Sequence, residues 1–137
     1  MGIVFHLTKN VNSDLSMIRL SIHGVIFRFL KQYEHRINVD LSKLLKIKVN
    51  DFIYFYEEEV QEIREISKDL LNELKSGRLD HNIVEYRERY GLTEDDINKE
   101  DLIELALHLW HLCDTTLSTG KLLVAYGSVF DWISTGD

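Results

Sequence analysis

Asp101 to Ser118 read DLIELALHLWHLCDTTLS. Leu102, Ile103, Leu105, Ala106, Leu107, Leu109, Trp110, Leu112 and Cys113 make this segment apolar almost all the way round a helix. One polar stripe remains, formed by Asp101, Glu104, His108, His111 and Thr115 at steps of three and four residues. A helix that is apolar on every other side belongs near the centre of its domain, and its stripe then meets water or a cleft. Taken as the central helix, the segment points to a mainly α fold. The expectation is a single-domain helical bundle of four to six helices over residues 1–137.

The flanking sequence extends that reading. Thr93 and Asp96 suit a capping arrangement before a central helix starting near Lys99. Asp80 opens a short helix ending near Tyr90, with Gly91 just past its C-terminus. Further upstream, Asn50 can cap a long helix running to Ser76 before Gly77. Its apolar face is Tyr56, Val60, Ile63, Ile66, Leu70 and Leu74, and its opposite face is Glu58, Glu62, Glu65 and Asp69. Asp40 can cap the short helix LSKLLKI. Ser13 or Asp14 caps a first helix running to about His35, with Leu15, Ile18, Ile22, Val25, Ile26, Phe29 and Tyr33 on one face. Lys9 to Asn12 form the turn before it. IVFHLT at residues 3–8 reads as a short strand. The tail admits two readings. KLLVAYG at 121–127 can pair with IVFHLT as a small two-stranded ribbon of the N-terminal and C-terminal segments. Leu122, Leu123, Tyr126, Phe130 and Ile133 are equally spaced for a helix.

Composition narrows the class of protein. The chain has 137 residues, 45% hydrophobic and 28% charged, with no proline. It is long enough for one ordinary core and too short for two. The formal net charge of −7 argues against nucleic acid or an anionic membrane as the main partner and suits a basic protein partner. No run is long enough to span a membrane, and the start lacks the basic region of a secretion signal. The N-terminal myristoylation pattern fails at His6. A lone cysteine, Cys113, allows neither an intrachain disulfide nor a thiolate zinc site from one chain. It falls on the apolar side of its helix, as a buried thiol would. A reducing cytoplasm is the expected location.

The chemical motifs are few. His108 and His111 share a helix face with Glu104, residue types that suit zinc or iron. Neither Glu-x-x-His nor His-Glu-x-x-His occurs, so no metal and no cofactor is expected. Glu59 lies near the apolar face of its helix, where desolvation raises a carboxyl pKa, but an early-turn position also suits the helix dipole. Ser118 to Lys121 resembles the end of a phosphate loop, but the pattern needs Gly at Thr115 and Ser or Thr at Leu122. Arg28 and His35 fit the loose Arg-x(4–6)-His pattern of HEPN-type helical ribonucleases. Phe29, however, stands where that family usually carries a polar residue.

Acid runs remain. Glu57, Glu58 and Glu59 lead into Glu62, Glu65 and Asp69, and a second run is Glu94, Asp95, Asp96, Glu100, Asp101 and Glu104. In charge and size the chain resembles acidic helical immunity proteins, which cover basic nuclease toxins. The resemblance implies a non-enzymatic intracellular binder, an immunity or antitoxin-like inhibitor. Its expected partner-binding residues are Glu58, Glu62, Glu65, Asp69, Asp101, Glu104, His108 and His111. The competing expectation is a small helical enzyme or metal-binding protein centred on Glu104, His108 and His111.

Overall fold

A computed structural model describes residues 2–8, 19–48 and 50–128. Strands β1 (Gly2–Thr8) and β2 (Arg19–Ile22) come first, followed by helices α1 (Gly24–Gln32) and α2 (Ser42–Leu45). Strand β3 (Phe52–Phe55) precedes helices α3 (Glu57–Lys75), α4 (Asp80–Tyr90) and α5 (Lys99–Thr119), and strand β4 (Leu122–Ser128) closes the series. The strands form one antiparallel sheet in the order β2-β1-β4-β3. The architecture is therefore α+β. This corrects the expectation of a mainly helical bundle with a two-stranded ribbon. The ribbon of β1 and β4 is present, but β2 and β3 extend it on either side.

Both additional strands arise where a helical reading was applied. Arg19-Leu20-Ser21-Ile22 alternates polar with apolar, a period of two that fits a strand. Leu20 and Ile22 stand opposite Phe5 and Ile3 on the core face of the sheet. Ile22 thus belongs to a strand, and the first helix starts only at Gly24. The expected turn at Lys9 to Asn12, the Ser13 or Asp14 cap, Leu15 and Ile18 lie outside the described residues. So do Phe130 and Ile133 of the tail.

The second correction concerns Asn50. It caps no helix but sits at φ 70°. Its N–H donates to the Gly127 carbonyl at 3.2 Å, and Gly127 N–H donates back to the Asp51 carbonyl at 3.2 Å. Two residues thus oppose one, a bulge whose first member is left-handed, a conformation Asn tolerates better than most residues. The preceding turn is closed by Asp51 N–H on the Lys48 carbonyl at 3.0 Å and by Lys48 N–H on Asp51 Oδ2 at 2.8 Å. Phe52-Ile53-Tyr54-Phe55 then runs as strand, matching its aromatic and β-branched composition. Helix α3 begins only at Glu57, where Glu57, Glu58 and Glu59 face the positive end of the helix dipole.

The core lies between the sheet and the helices. Ile3, Phe5, Leu7, Phe55, Leu123 and Ala125 from one sheet face meet Phe29, Ile63, Leu74, Leu102, Leu109 and Leu112 from the helices. Helix α5 packs along α3 and also touches β2 and β4, so it is central, as its composition requires. Small buried residues (Ser67 on α3; Ala106, Cys113 and Thr116 on α5) leave room for close packing. The buried hydroxyls are satisfied within their own helices: Ser67 Oγ donates to the Ile63 carbonyl at 2.8 Å and Thr116 Oγ1 to the Leu112 carbonyl at 2.7 Å. An Arg64–Asp114 ion pair links α3 to α5. Helix α4 is fastened to α1 by three phenols. Tyr33 donates to Glu85 Oε1 at 2.8 Å, Tyr86 to the Val25 carbonyl at 3.2 Å, and Tyr90 to Gln32 Oε1 at 2.8 Å. Among the described residues no helix is long and apolar enough to cross a membrane.

Candidate functional site

The N-terminal end of α5 gathers the acid. Asn98 caps the helix by accepting the Asp101 N–H at 2.8 Å, and its Nδ2 donates to the Glu94 carbonyl at 2.7 Å and to Asp101 Oδ2 at 3.0 Å. Thr93 and Asp96 do form the expected capping arrangement, and α5 follows at Lys99 with Asn98 as its own cap. They close the turn before it: Thr93 N–H donates to Asp96 Oδ2 at 2.7 Å, and Asp96 N–H to the Thr93 carbonyl at 3.1 Å. Glu100 and Asp101 occupy the first turn of α5, where carboxylates are favoured by the exposed N–H groups. The acid of this region is thus a consequence of how the helix starts, and it is also brought to one place.

That place is a cleft of about 430 Å³ between α5 and the junction of β2 with α1. Asp95, Asp96, Asp101 and Glu104 line it together with His23 and His108. Leu20, Val25, Ile26 and Leu105 supply its apolar lining, and none of its described lining residues is Lys or Arg. A second cleft of about 610 Å³ adjoins it through Asp95 and Asp101 and adds Asp80, Glu94 and Glu100. There Lys99 pairs with Asp80 at 3.1 Å, and Arg87 lies 3.9 Å from Glu94. Chemically, an apolar strip bordered by carboxylates suits a lysine or arginine side chain, whose methylene stem and cationic head need different surroundings.

The expected site residues divide between two places. Asp101, Glu104 and His108 line the first cleft. His111 belongs to the same stripe and is exposed, but does not line that cleft. Glu58, Glu62 and Glu65 line a separate cleft of about 490 Å³ with Asp40 and Lys43. Lys43 Nζ lies 3.0 Å from Glu62 and 3.9 Å from Glu59, which offsets part of that acid face. Asp69 is exposed and lines neither cleft. Glu104 and His108 are therefore brought together, whereas His111 is left apart from them. Among the described residues no group of three or more His, Cys, Asp or Glu side chains is arranged to hold a metal ion.

Other candidates also find their places. Glu59 acts at the start of α3, accepting the Tyr56 N–H at 3.4 Å. The Cys113 thiol is fully buried, and burial, reinforced by Asp114 and opposed by Arg64, pushes its pKa up to about 12. It is therefore a core residue and a poor nucleophile. Arg28 and His35 do not share a helix face, because α1 stops at Gln32 and His35 lies in the turn beyond it. Sequence reasoning missed His23. The one available signal was the His23-Gly24 step between an alternating segment and a helical one. No protein-family model, curated protein or solved structure matches this chain.

Proposed function

We propose that this protein is a non-enzymatic binding protein that receives a basic partner on the acidic surface at the N-terminal end of α5. The observation that carries the reading is the cleft in which Asp95, Asp96, Asp101 and Glu104 border an apolar strip, with no lysine or arginine among its described lining residues. With the adjoining cleft, seven carboxylates (Asp80, Glu94, Asp95, Asp96, Glu100, Asp101 and Glu104) stand against two cations, Arg87 and Lys99. Such a field speeds the encounter with a positive surface and repels a negative one. Compared with the α3 face, where Lys43 is already paired, this surface keeps more of its charge for a partner.

The finer form of the proposal is an intracellular inhibitor that covers the basic active site of a nuclease toxin. Its support is the charge and the cleft alone. The test is affinity capture from the source cells with wild-type protein and with Asp95→Lys/Asp101→Lys/Glu104→Lys. Capture of a basic protein by wild type only, with elution by salt, supports the binding reading. Co-expression with the captured protein then shows whether toxicity or nuclease activity is relieved. An acidic partner, or capture unaffected by the charge reversal, refutes the acidic-surface mechanism.

A further inference from the structure

A further cleft, about 740 Å³, lies at the other end of α1 and carries more lysines than carboxylates among its described lining residues. Its floor is Phe27, Leu45 and Ile47, all buried. Lys31, Lys46 and Lys48 stand on its rim, all exposed. Among the described residues none of these three lysines makes an ion pair within 4.0 Å, as Lys43 and Lys99 do, although Lys46 helps to lower the Asp40 pKa. Two carboxylates also border the cleft. Asp51 is turned to the Lys48 N–H at 2.8 Å and serves the turn, and Glu34 is the other.

In a chain of net charge −7, three lysines against two carboxylates around one apolar floor are a local reversal of sign. We infer that this groove binds an acidic segment of a protein partner, one that carries apolar side chains between its carboxylates. The apolar floor would take the side chains and the lysines would take the carboxylates. Nucleic acid fits less well. Lys31 Nζ lies 5.9 Å from the Phe27 ring centroid, over the face on which a base would stack, whereas apolar side chains can lie along the lysine stems at the edge of the floor. The protein's overall negative charge also opposes a polyanion far more than a short peptide.

The inference stands apart from the acidic-surface proposal, and its test uses different residues. Fluorescence anisotropy would follow a labelled synthetic peptide in which Glu alternates with Leu and Phe, its Lys-for-Glu counterpart, and an oligouridine. The acidic peptide should bind the intact protein and the basic peptide should not bind this groove. Lys31→Gln/Lys46→Gln/Lys48→Gln should weaken acidic-peptide binding about tenfold, and the Glu triple variant should weaken it further. The lysines are exposed, so both variants should keep the wild-type circular dichroism spectrum, and the Gln variant serves if the Glu variant unfolds. Unchanged affinity in the Gln variant, or no binding of the acidic peptide at about 1 mM, overturns the inference. Binding of the oligouridine in place of the peptide also overturns it, by assigning the groove to nucleic acid.

Discussion

Replacing Asn98 tests whether the acidic end of α5 is built by its cap. The Asn98 side chain accepts the Asp101 N–H at 2.8 Å and donates to the Glu94 carbonyl and the Asp101 carboxylate at 2.7 and 3.0 Å. Loss of an N-cap costs about 0.5–2 kcal/mol, and each further exposed hydrogen bond contributes at the low end of about 0.5–1.5 kcal/mol. Asn98→Ala should therefore destabilise the protein by about 1–3 kcal/mol. Asn98→Asp keeps the acceptor for the Asp101 N–H but loses both donations and places like charges side by side. Its cost should fall below that of Ala and shrink further in salt, which screens the repulsion. Urea unfolding measures both, read as a shift in midpoint at constant slope. A loss under about 0.5 kcal/mol for Asn98→Ala, or an Asp variant insensitive to salt, would refute this account of how the acid is held.

Leu109→Ala should cost about 2–5 kcal/mol, because Leu109 is a buried core residue on the central helix; calorimetry or urea unfolding checks it. Gly2→Ala should destabilise by about 1–3 kcal/mol, since an added Cβ would meet the Ile22 carbonyl oxygen at 2.8 Å and backbone cannot yield cheaply. The Cys113 thiol should resist alkylation at pH 8 in the native state and react at the rate of unfolding in urea, which mass spectrometry reads directly. The Tyr33 hydroxyl, hydrogen-bonded to Glu85, holds the Glu85 carboxyl below its usual range. A depressed carboxylate pKa gives stability that is complete above the unfolded value and lost as pH falls through the folded one. Tyr33→Phe should thus raise the Glu85 titration midpoint in an NMR pH series and flatten the acid limb of stability.

The central helix was legible from one end to the other, because its apolar residues leave only one stripe and Gly120 ends it at φ 67°. Helix α4 and its Gly91 terminus were equally legible. The sheet was half hidden for two reasons. Arg19 to Ile22 is only four residues long and continues into a helical run, so Ile22 and Val25 fit a helical face by coincidence of spacing. Phe52 to Phe55 directly precedes three glutamates, and Asn50 before it has the residue type of a helix cap. Only the partner strand distinguishes a bulge from a cap, and that partner, Gly127, lies far along the chain. The site was legible as a stripe but not as a cleft. Asp101, Glu104 and His108 were named from α5 alone, while His23, Asp95 and Asp96 reach the same space from segments whose placement depends on the sheet.

The order β2-β1-β4-β3 has a consequence for synthesis. β1 is buried along its full length, yet its neighbour β4 joins His6 to Tyr126 across 120 residues of chain. At about 5–20 residues per second a ribosome needs on the order of ten seconds to make the missing strand. Throughout that time Ile3, Phe5 and Leu7 can pair with β2 but have no β4 beside them. The nascent chain therefore carries an unsatisfied strand edge from the time β1 emerges until β4 follows it. Chaperone dependence and inclusion-body formation should respond to substitutions in β1 and β4 more strongly than to substitutions in α3, whose hydrogen bonds close locally as it emerges.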